Sequence, residues 1–375
     1  MQILRRFSRP QIAAGAVAAV VILAVAVWLV VSPRTVPELL PSPSETASPT
    51  ASPSATPSPS ATPEVAVCPL NGLAVDNPEW LDRVTIAVQI ENHPLARPAR
   101  NLSNADMVVE APVEGDTTRF SALYLCRATE GLSGPIRSAR YYEVDLWQDL
   151  GILPVGFGAS GGALAKFAAA GMPYVNGITG AWPWFERYGN KAAPHNLYGD
   201  LEALRAALGQ GGAIDTLAAK AGPLRPPFTF DATVTLPTGH PVAGFEIRTN
   251  RTWRFGWTFR AETGLWERQD LGVAVTDAVT EAPVTASHVV VQRVEQEVVF
   301  GDPDPGGNTR RLQHLVGEGD GTLYSAGMAI ALHWSRPTAA DGTRWTYADT
   351  GAPVVLPPGI VWWEIIPIPA ALTES

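Results

Sequence analysis

The N-terminal segment contains a long uncharged stretch that only a membrane or a deep core could accommodate. Residues 13–31 carry no charge and consist mainly of Ala, Val, Leu and Ile. As a helix, this stretch would be roughly 28 Å long, about the thickness of the hydrocarbon layer of a bilayer. Arg5, Arg6 and Arg9 precede it, which predicts that this end stays in the cytoplasm and that the rest of the chain lies outside.

A cleaved signal peptide and a lipid anchor are the alternatives to a retained helix. A signal peptide has a shorter apolar run, ~7–15 residues, followed by a small-residue cleavage site, and no Ala-x-Ala pattern ends this run. A lipoprotein needs a Cys directly after the run, whereas the first cysteine is Cys68. We therefore predict a cytoplasmic N-terminus at residues 1–12, a transmembrane helix at 13–31 and a single-pass protein of the cell membrane, with its C-terminal part outside the cytoplasm.

Residues 32–66 are rich in Ser, Thr and Pro. A segment of this composition cannot bury enough apolar surface to fold, so we predict a disordered linker. Its frequent prolines favour an extended chain of ~3.1 Å per residue, which would hold the folded part away from the membrane.

The folded part is acidic. The net charge of the chain is −9, and residues 1–66 hold four Arg and three Glu, so the remainder carries −10. Binding to duplex nucleic acid depends on several clustered cations that replace counterions. The charge therefore argues against nucleic acid as a partner.

Two cysteines, Cys68 and Cys126, lie in the part predicted to be outside the cytoplasm. Disulfides form and persist in that environment, and an even number of cysteines favours pairing. We predict a Cys68–Cys126 disulfide; the alternative is two unrelated thiols, one of them buried.

The pattern of apolar residues changes along the folded part. Residues 67–225 alternate β-branched runs with helical spacing, which predicts a mixed α/β layer domain. Residues 226–375 consist of short β-rich runs between turn signals, which predicts a mainly antiparallel β domain. The predicted class is α+β, and seven tryptophans of the second domain are predicted in its core: Trp253, Trp257, Trp266, Trp334, Trp345, Trp362 and Trp363.

Arginines and acidic residues are concentrated between residues 97 and 140, where there is no Lys. The arginine fork suits carboxylates and phosphates that it contacts through two hydrogen bonds. Two interpretations remain open: an arginine–carboxylate network that fixes loops, or a pocket for an anionic ligand. The candidate ligand-binding residues are Asn92, His93, Arg97, Arg119, Arg137, Arg140, His195 and Asn196.

No complete catalytic motif is present: the chain lacks a P-loop, a G-x-S-x-G elbow, an H-E-x-x-H pair and a C-x-x-C spacing. His93 and His195, together with carboxylates, could bind a divalent cation or act in general acid–base catalysis. Both histidines lie in loop contexts where the ring commonly contacts backbone, so we predict no metal and no cofactor. The catalytic candidates are His195, Asp106, Glu110 and Glu114.

Five blocks of the first domain resemble the opening of the YerB-like bacterial envelope lipoprotein family. They are residues 90–98 (IENHPLARP), 102–106 (LSNAD) with Glu110, 113–120 (VEGDTTRF), 134–140 (GPIRSAR) and 193–198 (APHNLY). Residues 289–292, Trp334 and residues 362–364 resemble its C-terminal domain. The resemblance implies a two-domain envelope protein of undefined biochemical role and carries no catalytic residues. The family is usually anchored by a lipidated Cys, whereas this sequence predicts a helix.

Two functional hypotheses follow. The first is a cell-envelope binding module whose partner is a cell-wall glycan, an anionic polymer or an envelope protein. The second is an envelope hydrolase or transferase that uses His195 with a carboxylate among Asp106, Glu110 and Glu114. The enzyme hypothesis requires His195 and one of these carboxylates to lie together in a concave pocket, whereas the binding hypothesis does not.

Overall fold

A computed structural model describes residues 65–75, 77–180, 182–249 and 253–375. The predicted cytoplasmic N-terminus, the predicted transmembrane helix and the predicted linker up to residue 64 lie outside the described residues. Within those ranges, no helix combines the length and the apolar character that crossing a bilayer requires.

The fold is mostly β with few helices. It therefore agrees in part with the predicted α+β class. Four short α-helices are present in the described ranges: α1 (Tyr142–Trp147), α2 (Gly161–Ala169), α3 (Leu201–Ala206) and α4 (Ala213–Ala221). Single 3-10 turns occur at Pro78–Asp82, Pro94–Ala96, Leu102–Asn104 and Ala339–Asp341.

The strands of the first half are β1 (Thr85–Glu91), β2 (Met107–Pro112), β3 (Thr118–Tyr124), β4 (Leu132–Ser133), β5 (Ile152–Gly156), β6 (Val175–Asn176), β7 (Phe185–Arg187) and β8 (Leu197–Asp200). Those of the second half are β9 (Thr229–Phe230), β10 (His240–Pro241), β11 (Gly244–Arg248), β12 (Arg254–Arg260), β13 (Leu265–Asp270), β14 (Val273–Ala274), β15 (Thr285–Ala286), β16 (His288–Val294), β17 (Gln296–Val299), β18 (Arg310–Gln313), β19 (Gly317–Ser325), β20 (Met328–Arg336), β21 (Arg344–Tyr347), β22 (Val355–Leu356), β23 (Val361–Pro367) and β24 (Ala371–Glu374).

One large sheet joins strands from both halves, in the order β10-β20-β19-β16-β23-β2-β3-β1-β5-β6, with β21 paired to β20. The two halves meet where β2 runs parallel to β23. The domain boundary predicted between residues 225 and 226 stays a prediction, but the main sheet is shared across it. A second sheet has the order β14-β13-β12-β11-β24, with β15 paired to β13.

Strand direction places several loops at one edge of the large sheet. β3 is antiparallel to β1 and β2, while β5 is parallel to β1, and β16 and β23 continue parallel to β2. The carboxyl ends of β1, β2 and β5 therefore meet at the same edge. In open sheets with parallel strands, ligands bind beyond this edge.

The core lies on both faces of the large sheet. All seven residues of β1 are buried, as expected for a strand covered on both faces. The seven tryptophans predicted in the core are each 8% exposed or less, which confirms that prediction. Ser160 caps α2, because its hydroxyl accepts a hydrogen bond from the Ala163 N–H at 3.1 Å.

Candidate functional site

The candidate site lies at the carboxyl end of β1. Glu91 is the last residue of this strand and faces Arg119, the second residue of β3, across the pair. The segment around Arg137 is inserted between β1 and Phe157, the residue that follows β5. The Arg137 N–H donates to the Gln89 carbonyl at 2.8 Å, and the Arg137 carbonyl accepts from the Phe157 N–H at 2.9 Å. The backbone thus brings residues from three distant parts of the chain to one edge.

A histidine–carboxylate pair stands at this edge. His195 Nδ1 lies 3.1 Å from Glu91 Oε1, and the His195 ring stacks on His93 with ring centroids 4.7 Å apart. His93 accepts a hydrogen bond at Nδ1 from the Leu95 N–H at 3.2 Å, because it caps the turn that follows. The pKa of His93 is lowered, first by burial and second by the neighbouring His195.

Two arginines complete the group. Arg137 Nε lies 3.3 Å from Glu91 Oε1. Arg119 is 4% exposed and donates from Nη1 to the Ser138 carbonyl at 2.7 Å. Burial and the charge of Arg140 lower the pKa of Arg119 to about 9 against the opposing effect of Glu114. We call Glu91, His93, Arg119, Arg137 and His195 the edge site.

Glu114 belongs to a second ion-pair group beside the edge site. Arg140 Nε donates to its carboxylate at 2.7 Å, and Arg310 Nη1 does so at 3.1 Å. Burial alone would raise the pKa of Glu114, but Arg140 and Arg119 lower it to about 2. Asp302 lies 3.5 Å from Arg310 and accepts from the Tyr141 hydroxyl. Glu114 is therefore engaged by arginines, and among the described residues no contact joins it to His195.

Buried polar atoms without a hydrogen bond gather around Arg119. Within the described residues, these atoms belong to three places: one face of β1 and β3, the inserted segment around Arg137, and helix α1. They are Gln89 Oε1, Glu91 Oε2, Arg119 Nε, Arg137 Nε, Tyr142 Oη and Glu143 Oε2. Most buried polar atoms have a partner, so this group retains hydrogen-bonding capacity that a bound molecule or water could use.

Asp106 lies elsewhere, beside the disulfide. Its carboxylate accepts from the N–H groups of Leu125 and Cys126 at 2.7 and 2.8 Å, and burial raises its pKa. Cys68 and Cys126 form the predicted disulfide. Together with Asp106 they are the group of potential metal ligands found among the described residues, but both sulfurs are consumed by the bond. The contacts of Asp106 are therefore those of a residue that stabilises the fold.

Glu110 also lies away from His195, in the interior between the two sheets. Arg268 donates to both of its oxygens, at 2.7 and 3.1 Å, and Asn92 Nδ2 donates to it at 3.3 Å. Arg97 joins this network through Nε, which donates to Asn92 Oδ1 at 3.0 Å, and through an ion pair with Asp270. Asn92, Arg97 and Glu110 thus form part of a buried network.

Apart from Asp106 and Asn196, the predicted candidates therefore separate into three groups. His93, Arg119, Arg137 and His195 converge, Arg140 and Glu114 lie beside them, and Asn92, Arg97 and Glu110 lie in the interior network. Asn196 accepts from Arg187 Nη1 at 2.7 Å on the surface. Arg97, Arg137 and Arg140 each have a carboxylate partner, whereas no ion pair to Arg119 is found in the described ranges.

The carboxylate that contacts His195 is Glu91, which the sequence hypothesis of an enzyme did not name. Asp106, Glu110 and Glu114 are instead held by backbone N–H groups or arginines, as described above. One signal could have identified Glu91: it ends a buried strand directly before Asn92 and His93. The contact itself spans 104 residues, so sequence spacing does not reveal it.

Comparison with known proteins gives consistent matches over most of the chain. The model of the N-terminal domain of a family described as "Protein of unknown function (DUF3048)" matches residues 70–213. The model of the C-terminal domain of the same family matches residues 245–363.

Two similar proteins extend this result. "Putative lipoprotein YerB" of Bacillus subtilis (strain 168) is 29% identical over 304 residues, which cover 80% of this chain and 86% of that protein. The crystal structure of YerB protein from Bacillus subtilis is similar with a TM-score of 0.67 and 26% identity, covering 82% of this chain and 99% of that one.

Proposed function

The chain belongs to the DUF3048 family of two-domain proteins, and on this premise we propose that it is a membrane-anchored extracytoplasmic module that binds an anionic ligand at the edge site. The anchor is supported by the apolar run at residues 13–31 and by the name of the Bacillus relative, which describes a lipoprotein. The Ser/Thr/Pro-rich linker would present the folded part to the cell envelope.

The observation that carries the ligand proposal is that Arg119 is buried without a carboxylate partner among the described residues. A buried charge is stable when it is paired and hydrogen-bonded. Arg119 is buried, its Nε has no hydrogen bond, and its partner at Nη1 is a neutral carbonyl oxygen. A ligand that brings negative charge would supply what the surrounding side chains lack.

The balance of charge around Arg119 supports the same proposal. Four guanidinium groups, those of Arg119, Arg137, Arg140 and Arg310, stand against the carboxylates of Glu91, Glu114 and Asp302. A fourth acid, Glu143, adds little negative charge at neutral pH because burial raises its pKa to about 8. One positive charge remains in excess, on a folded part whose net charge is −10.

Calorimetric titration of the full chain in a mild non-ionic detergent, with inorganic phosphate as the probe, tests this proposal. We expect saturable binding and a rise in melting temperature, since a ligand at 100 times its Kd stabilises the folded state by about 2.7 kcal/mol. Arg119→Gln and Arg137→Gln should each weaken phosphate binding at least tenfold.

Arg344→Gln is the matched control, because Arg344 is an exposed arginine whose contact is with Asp341. It should bind phosphate like the original chain. Absence of phosphate binding by the original chain, or equal binding by Arg137→Gln, would contradict the proposal. Binding of a neutral oligosaccharide in place of phosphate would favour the glycan hypothesis instead.

A further inference from the structure

We propose that Glu91 makes the edge site select a phosphate group that carries its own hydrogen over anions of the same shape that carry none. This inference rests on the proposed anion binding and names the class of anion that binds. Its basis is one donor and one acceptor that lie on directly opposed residues and that both lack a hydrogen bond.

Glu91 and Arg119 are directly opposed on β1 and β3. The side chains of such a pair lie on the same face of the sheet, with Cβ atoms ~4.5–5.5 Å apart, and opposite charges there can form an ion pair. Within the described residues, however, no ion pair joins these two side chains: Glu91 contacts Arg137 and His195, and Arg119 contacts the Ser138 carbonyl. Each of them leaves one buried polar atom without a hydrogen bond.

The carboxylate of Glu91 uses one of its two oxygens. Oε1 lies 3.1 Å from His195 Nδ1 and 3.3 Å from Arg137 Nε, whereas Oε2 is buried and has no hydrogen bond. In the ion pair with Arg137 the carboxylate is negatively charged, and a charged carboxylate only accepts hydrogen bonds. An anion without a hydrogen would therefore repel Oε2 and leave it unpaired.

Arg119 provides the complementary donor. Its Nη1 donates to the Ser138 carbonyl at 2.7 Å, while its Nε is buried and has no acceptor. A ligand between the two side chains must accept at Arg119 and donate at Glu91. Hydrogen phosphate does both, because P–O⁻ accepts and P–OH donates, and hydrogen bonds to charged groups are among the stronger ones. Sulfate only accepts.

A water molecule could also accept at Arg119 and donate at Glu91. Water, however, brings no negative charge to a site where four guanidinium groups stand against three carboxylates. Hydrogen phosphate fits both the hydrogen-bonding pattern and the excess of positive charge.

Calorimetric titration of the full chain in a mild non-ionic detergent, with inorganic phosphate and sulfate compared at pH 7.5, tests the inference. The main species, HPO₄²⁻ and SO₄²⁻, then have the same charge and the same tetrahedral shape, and they differ by one hydrogen. An unpaired buried acceptor weakens binding by a factor of about ten or more. Phosphate should therefore bind at least about tenfold more tightly than sulfate.

Methyl phosphate distinguishes free phosphate from the terminal phosphate of a larger molecule, because both can carry a P–OH group. At pH 6, near the second pKa of a phosphomonoester (about 6), roughly half of methyl phosphate carries a hydrogen. Binding of methyl phosphate within tenfold of inorganic phosphate at this pH would assign the site to a terminal phosphate. Weaker binding would assign it to free phosphate, and both results agree with the inference.

Glu91→Gln tests whether this carboxylate sets the preference. The amide can turn its N–H groups toward a sulfate oxygen, so the affinity for sulfate should rise and the two Kd values should differ less than threefold. Glu318→Gln is the matched control, because Glu318 is an exposed glutamate that also contacts a histidine, His333. It should keep the original ratio of Kd values. Damage to the fold weakens both anions alike, so this ratio reports on the hydrogen bond.

Equal affinity of the original chain for phosphate and sulfate would overturn the inference and leave the proposed anion binding in place. An unchanged ratio in Glu91→Gln would overturn it as well, because the preference would then not depend on this carboxylate. Absence of binding by both anions contradicts the proposed function itself.

Discussion

Glu110 and Glu364 lie opposite each other on neighbouring parallel strands, β2 and β23, and Arg268 from the second sheet contacts both. The contact to Glu110 is 2.7 Å and that to Glu364 is 3.8 Å, and all three side chains are fully buried. Burial, and then the neighbouring Glu110, raise the pKa of Glu364 well above its usual value. The two carboxyls thus share one guanidinium, and the raised pKa favours the protonated form of Glu364.

This arrangement predicts unequal effects of two similar substitutions. Because the raised pKa of Glu364 favours its neutral form, the neutral amide of Glu364→Gln should change the free energy of unfolding by about 1 kcal/mol or less. Glu110→Gln leaves Arg268 without its closest counter-charge and should cost about 3–5 kcal/mol. Urea denaturation at pH 7 measures both. Equal losses in the two variants would contradict a protonated Glu364.

The pH dependence of stability should contain a contribution from Glu143. Burial raises its pKa from 4.5 to about 8, so the folded state binds more protons than the unfolded state between these values. The free energy of unfolding contributed by Glu143 therefore falls as pH rises from about 4.5 to 8, by at most ~1.4 kcal/mol per pH unit. Below pH 4.5 the contribution is complete.

Glu143→Gln should remove this fall, and thermal unfolding measured from pH 4 to pH 9 would show it as a flatter curve. The acid side provides the internal control. Arg140 and Arg119 hold the pKa of Glu114 at about 2, so stability is lost as pH falls from 4.5 towards 2, and Glu143→Gln should leave that loss unchanged. A variant as steep as the original chain above pH 5 would show that Glu143 is ionised in the folded state.

The disulfide is expected to contribute substantially to stability. Cys68 and Cys126 are 58 positions apart, and a loop of this length contributes about 4 kcal/mol through the lower entropy of the unfolded chain. The double variant Cys68→Ser, Cys126→Ser should lose about that much in urea denaturation. Thiol titration of the denatured original chain should find no free thiol, whereas two free thiols would contradict the bond.

Asp106 should matter for folding and not for ligand binding. Asp106→Ala leaves the N–H groups of Leu125 and Cys126 without their acceptor and should cost about 2–4 kcal/mol. Asp106→Asn keeps one oxygen in place and should cost less. Calorimetry with phosphate should give the original Kd for Asp106→Asn, and a tenfold change would place Asp106 at the binding site.

The sequence predicted those features that depend on local pattern. The spacing of apolar residues predicted strands with helices in residues 67–225 and mainly strands in residues 226–375, because strand and helix periodicity act over a few neighbouring positions. The predicted arginine-rich ligand site stays a prediction; of its arginines, Arg119 and Arg137 lie at the edge site. It included Arg97 and Asn92, which lie instead in the interior network with Glu110.

What the sequence determined by itself is therefore the strand and helix pattern, the buried tryptophans and the pairing of the only two cysteines. What only the tertiary structure decided is which charged side chains meet. The contact of Glu91 with His195 spans 104 residues and that of Glu110 with Arg268 spans 158, and both follow from strand order and register. Charged groups interact through space, and a polypeptide sequence specifies which residues are charged without specifying which of them the folded sheet places within hydrogen-bonding distance.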